Sequence, residues 1–188
     1  DTPGDCPKSA AALMATLDHL GHGQLSGKLT INSPIPRSKG MGSSSADITA
    51  TIAATALALG TELTPETIAT IALSVEPSDG VMFPGIALLD HREGSIIQVL
   101  GTPPPMEIVA LDWGGTVDTV EFNAVDRQSQ WKSIQDEVDE ALKRVRTGIR
   151  EQDPELIGQG ASISSWASQA VLFMPQLQEV MEFAEKVG

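Results

Sequence analysis

Gly40 and Gly42 flank Met41, and Ser43, Ser44 and Ser45 follow directly. This spacing suits the grip of an anion. Glycine lets backbone N–H groups approach a ligand with no Cβ in the way. A helix that starts at once behind the loop leaves its first N–H donors without intrahelical partners and its positive dipole end exposed. The anion such a mouth commonly takes is a phosphate. The three serines add hydroxyls that can cap the helix, meet phosphate oxygens or ligate Mg2+, and Lys39 adds a positive charge beside the loop. The plainer use of the same residues is a serine-capped helix behind a flexible loop. No Lys-Ser or Lys-Thr pair follows the second glycine, so the loop is not of the Walker A type.

Two further stretches carry acid groups. In VEPSDGVMFPG (75–85), Glu76 and Asp79 fall between a helical pattern and a strand pattern. Phosphoryl transfer asks for Mg2+ held by oxygen ligands and for an acid group near the attacking hydroxyl. Two carboxylates on one tight loop can divide those tasks. They also suit an ordinary helix end and turn, because Asp before Gly is a favoured turn pair. In DWGGTVDT (112–119), Asp112, Thr116 and Asp118 could meet a substrate, while the two glycines alone make a turn. The three histidines and one cysteine have no zinc spacing.

The elements that must position these residues are written in apolar periodicity and punctuation. Ala10, Leu13, Met14, Leu17 and Leu20 predict a helix within 6–23, closed by Gly21. Residues 27–32 alternate as a strand, with Leu29 and Ile31 on one face. From Ser45, Ile48, Ile52, Thr55, Ala56 and Leu59 mark a second helix, stopped by Gly60. Thr64 caps a third, with Pro65 at its first position and Ile68, Ile71, Ala72 and Val75 as the buried stripe. Pro77 ends it, and a hairpin follows around HREG (91–94). The three prolines of 103–105 are the linker candidate. Beyond them, 106–112 and 119–123 read as strands. Trp131 to Ile149 then reads as a long amphipathic helix, Asp153-Pro154 opens another, and a last one follows Pro175.

Composition bounds the function. The chain has 188 residues, 41% of them hydrophobic, and a mean hydropathy of −0.01, which fits a folded globular core. Its formal net charge of −13 would repel a nucleic-acid backbone, so no nucleic-acid partner is expected. No apolar run approaches the ~20 residues of a membrane span, and no basic stretch followed by an apolar one opens the sequence, so no secretion signal is expected. A single cysteine, Cys6, excludes an internal disulfide and fits a reducing cytoplasm. The start at Asp1 and the end just after a helical pattern suggest a segment of something longer.

PRSKGMGSSSA (36–46) resembles the signature P-x-x-x-G-[L/M]-[G/A]-S-S-x-A of the GHMP kinases, a superfamily that includes galactokinase, homoserine kinase and mevalonate kinase. Together with VEPSDGVMFPGIALLDHREG and DWGGTVDTVEFN, it resembles the L-threonine kinase branch that serves cobalamin synthesis, over nearly the whole chain. The resemblance implies transfer of the ATP γ-phosphate to the hydroxyl of L-threonine, giving O-phospho-L-threonine. It implies ATP and a small hydroxyl-bearing amino acid as partners, with Mg2+ as cofactor. Lys39, Gly40, Met41, Gly42, Ser43, Ser44 and Ser45 fall at the phosphate loop. Ser44 and Glu76 fall at the metal, and Asp79 at the catalytic aspartate. Arg37 and Thr116 are candidates for the acceptor's carboxylate. The alternatives are another GHMP kinase, acting on homoserine or in the isoprenoid pathway, and a catalytically silent nucleotide-binding protein. The implied architecture is α+β in two domains. Residues 1–102 would be the N-terminal ATP-binding domain with a left-handed β-α-β unit, lacking its first strands. Residues 103–188 would be a ferredoxin-like C-terminal domain, lacking its glycine-rich motif.

Overall fold

The helix limits follow local chemistry. The computed structural model describes residues 6–25, 27–114 and 125–187. Helix α1 spans Pro7–His19 and ends as its punctuation predicts. Gly21 takes φ +75°, and the N–H groups of His22 and Gly21 reach back to Leu17 O and Asp18 O at 2.7 and 3.1 Å. Helix α2, Ser43–Ala58, closes in the same way, with Thr61 N–H on Ala56 O at 2.9 Å. Helix α3, Pro65–Val75, starts where Thr64 Oγ1 accepts the Thr67 N–H at 3.3 Å. Strand β1 (Ile86–Leu89) pairs with β2 (Ile97–Gly101) as a two-stranded sheet, so helix and strand are mixed in the chain as expected.

The described residues fall into two compact units. One takes those of Asp1–Val99 and Ala110–Val117, the other those of Leu100–Val109 and Asp118–Gly188. The core of the first is the seam between α1, α2 and α3, where Ala12, Ile48, Ile52, Ile68, Ile71 and Ala72 pack together. Ile48 and Ile52 are fully buried, and burial of each side chain contributes about 1.5–3 kcal/mol. The inward face of α1 differs from the expected stripe. Leu17 is buried as expected, but Ser9, Ala12 and Thr16 are buried with it while Met14 is half exposed. Small side chains let α1 lie close to its neighbours, and Thr16 Oγ1 is satisfied by Ala12 O at 2.7 Å.

Two expected strands take another form. Along 27–35 the alternation persists, with Leu29, Ile31, Ser33 and Ile35 half-buried, but no ladder forms there among the described residues. Residues 106–112 are likewise irregular, with Ile108 and Val109 strongly exposed. A strand requires a hydrogen-bonding neighbour, which alternation alone does not provide. The expected strand at 119–123 lies outside the described residues.

In the second unit the predicted long helix is two helices, α4 (Gln128–Ser133) and α5 (Gln135–Glu151). Ile134 separates them with φ −115° and ψ 13° while its side chain is buried. Helix α6, Pro154–Ser168, starts from Asp153, whose carboxylate accepts the N–H groups of Glu155 and Leu156 at 2.9 and 3.2 Å. Helix α7 spans Leu177–Val187. Helices α5 and α6 approach through glycines. A Cβ on Gly160 would lie 2.7 Å from Ala141 O, and one on Gly148 would lie 2.8 Å from Asp153 O. No helix among the described residues is long and apolar enough to cross a membrane.

Gly160→Ala therefore forces backbone apart at the α5–α6 crossing. It is expected to lower stability by about 1–3 kcal/mol, read as an earlier urea midpoint. An unchanged midpoint would contradict the close packing.

Candidate active site

The glycine-serine loop is held in left-handed backbone at alternate positions: Ser38, Gly40 and Gly42 have φ of 59°, 71° and 65°. Such turns aim successive N–H groups inward and suit anions. Helix α2 begins at Ser43, and no side chain caps it. Its first intrahelical bond runs from Ala46 N–H to Gly42 O at 2.9 Å. The helix start thus presents backbone donors and a positive dipole end, whereas α3 and α6 have theirs covered by Thr64 and Asp153.

The loop after α3 meets this start. Ser44 Oγ donates to Glu76 Oε1, and Glu76 Oε2 is ion-paired with Lys8 Nζ at 2.5 Å. Glu76 is only 16% exposed, so its charge is largely enclosed by these partners. The next serine faces the next carboxylate. Ser45 Oγ, buried, accepts the Asp79 N–H at 3.0 Å and lies 3.4 Å from Asp79 Oδ2. Gly42 passes beside Asp79: a Cβ there would stand 3.1 Å from Oδ2. Between the two acids, Ser78 is fully buried, with its N–H on His91 O at 3.0 Å and its hydroxyl on Glu76 O at 3.1 Å. The acidic loop is therefore held by α2 on one side and by the hairpin turn on the other.

Asp90 organises that turn. Its carboxylate accepts the Ser95 hydroxyl at 2.6 Å and the N–H groups of Arg92, Glu93 and Ser95 at 3.1, 3.3 and 3.3 Å. The Ser95 hydroxyl foremost, then these N–H groups, hold its pKa at about 2, below the ordinary 3.8. The third acid-bearing stretch reaches the loop through Lys39, whose Nζ lies 3.0 Å from Asp112 Oδ2. That hydrogen bond, with the Gly114 N–H at 2.8 Å and the lysine charge, lowers the Asp112 pKa.

Ser44, Ser45, Glu76 and Asp79 thus come together, with Gly42 beside them and Lys39 tied to Asp112. Met41 is half exposed, Gly40 has open space where a Cβ would stand, and Arg37 donates to Cys6 Sγ at 3.2 Å. Thr116 and Asp118 lie outside the described residues. No group of three His, Cys, Asp or Glu side chains suited to a metal occurs among the described residues. Ser44 and Glu76 offer one hydroxyl and one carboxylate. Such hard oxygen donors suit Mg2+, which keeps several waters and phosphate oxygens of its own.

The residue that sequence reading missed is Lys8. Its signal was a local conflict: a cation in the first turn of α1, where the dipole favours acids and none is present.

Residues 7–84 match the family model described as GHMP kinases N terminal domain. The chain is 31% identical over 159 residues to the L-threonine kinase of Salmonella typhimurium, a match covering 85% of this chain and 53% of that protein. It is 30% identical over the same length to the L-threonine kinase of Citrobacter freundii, covering 85% and 55%. The chain spans about half the length of the curated relatives it matches. No solved structure gives a match.

Both loop glycines are left-handed, but only Gly42 is crowded. Gly40→Ala should cost about 1–2 kcal/mol from backbone strain alone, and Gly42→Ala more, because Asp79 must move. Equal urea midpoints would refute the close approach. For Asp90 the folded pKa lies below the ordinary one. Its contribution is whole above 3.8 and is lost as pH falls through about 2. The stability gap between wild type and Asp90→Ala should narrow across that window; a constant gap would refute the carboxylate's role in the turn.

Proposed function

We propose, from the premise that residues 7–84 are a GHMP kinase N-terminal domain, that the protein is an ATP-dependent kinase whose acceptor is the hydroxyl of L-threonine. The product would be O-phospho-L-threonine, the form used in cobalamin synthesis. In this reading residues 1–102 form the ATP-binding domain of a two-domain fold, with a left-handed β-α-β unit, and 103–188 belong to its ferredoxin-like second domain. The observation that carries it is the pairing of two serines at the start of α2 with the acidic loop: Ser44 Oγ donates to the Glu76 carboxylate, and Ser45 Oγ accepts the Asp79 N–H at 3.0 Å with Asp79 Oδ2 3.4 Å away. The L-threonine kinase name of both relatives supports the choice of acceptor.

The chemistry asked of the chain is positioning and charge stabilisation more than covalent work. Backbone N–H groups of the loop and the dipole of α2 hold the terminal phosphates. Lys39, anchored by Asp112, adds positive charge at the loop edge. Ser44 and Glu76 would hold Mg2+, which supplies charge against the phosphate oxygens. Asp79, fixed by Ser45, orients the acceptor hydroxyl and takes its proton as the oxygen–phosphorus bond forms and the bond to ADP breaks.

The test follows acceptor-dependent ADP release from the full-length protein with L-threonine, L-serine, homoserine and mevalonate. L-threonine should give the highest kcat/KM. Asp79→Asn should lower turnover by about 10²–10³, with ATP binding retained. Wild-type turnover in Asp79→Asn would remove Asp79 from the chemistry. ATP binding with no ADP release for any acceptor would replace a kinase with a nucleotide-binding protein.

A further inference from the structure

The Lys8–Glu76 ion pair falls on a carboxylate that the proposed function assigns to the metal. We propose that Lys8 competes with a divalent cation for the Glu76 carboxylate, so that tight cation binding depends on the nucleotide phosphates arriving with it. The inference rests on the reading that Ser44 and Glu76 are metal ligands.

Three observations carry it. Lys8 Nζ lies 2.5 Å from Glu76 Oε2, and the other carboxylate oxygen accepts from Ser44. A dication drawn to this carboxylate meets a full positive charge already in contact with it, and like charges at that range repel. The backbone of Lys8 is fixed, because Pro7 starts α1 and Ser9 and Ala12 are buried one and four positions on. Its side chain is not: the lysine is 45% exposed on a four-carbon stem. The ammonium can therefore leave Glu76 for another anionic partner without disturbing the helix. Phosphate oxygens at the mouth of α2 are such a partner, since Glu76 touches the first turn of that helix through Ser44. The local setting also favours exchange over a permanent bond. A cation in the first turn of α1 opposes the dipole, and that turn holds no acidic residue to offset it.

The probe is Mn2+ alone, followed by loss of the free-ion electron paramagnetic resonance signal, in wild type, Lys8→Met, Lys8→Arg and Glu76→Gln. Lys8→Met keeps much of the stem and removes the charge. It should bind Mn2+ about fivefold tighter than wild type, the upper end for a partly exposed pair. Lys8→Arg should keep the weaker wild-type affinity, which a purely structural role of the stem would not require. Adding a nonhydrolysable ATP analogue should raise Mn2+ affinity less in Lys8→Met than in wild type. Equal or weaker binding in Lys8→Met, with binding lost in Glu76→Gln, would overturn the role of Lys8 and leave the metal reading intact. Wild-type Mn2+ binding in Glu76→Gln would instead overturn Glu76 as a ligand, and the inference with it.

Discussion

Two adjacent hydroxyls on the first turn of α2 meet two acidic residues three positions apart on the loop after α3, Ser44 at the Glu76 carboxylate and Ser45 at the Asp79 N–H, and the site depends on that match. Consecutive residues on a helix point about 100° apart, and Ser44 and Ser45 meet different residues of the loop. The loop allows this by turning between Glu76 and Asp79, with buried Ser78 as the pivot. Each acidic residue thus has its own serine, Glu76 through its carboxylate and Asp79 through its N–H. The geometry is tight at Gly42, where a Cβ would stand 3.1 Å from Asp79 Oδ2. The three-helix seam of Ile48, Ile52, Ile68 and Ile71 keeps the two helices in place behind the match.

The chain carries a net charge of −13, yet the function proposed for its candidate site requires an anion. The conflict is resolved locally. Field strength at short range depends on nearby charges and dipoles, and distant surface charge is screened over roughly 10 Å. The α2 dipole, Lys8 and Lys39 all gather in the unit that holds the loop. Each lysine is paired with a carboxylate, Glu76 or Asp112. These pairs also limit how much free positive charge the site displays, which suits a ligand bringing its own cation.

Helix ends were legible because caps are short-range events. Thr64 and Asp153 find N–H groups within three residues, and Gly21 and Gly60 adopt left-handed turns for neighbours just behind them. The candidate residues were legible for a related reason. Bare backbone and hydroxyls ahead of a helix, and acids in a turn, are contiguous motifs. The strand readings at 27–32 and 106–112 did not hold, because a ladder belongs to two segments and alternation describes only one. The stripe on α1 holds at Leu17 but shifts elsewhere, because close helix packing selects small side chains over large apolar ones. Ser9, Ala12 and Thr16 face inward where Met14 was expected.

The sequence by itself determined where α1 and α2 stop, where α3 starts and stops and where α6 starts, and that glycine, serine and two acids stand at their junctions. Those outcomes rest on φ preferences and hydrogen bonds spanning a few residues. Tertiary structure alone decided that Ser44 belongs to Glu76, Ser45 to Asp79, Lys39 to Asp112 and Lys8 to Glu76. These pairs join residues 32 to 73 positions apart. Their formation depends on how helices pack, because a charge or hydroxyl chooses its partner by distance in space and not along the chain.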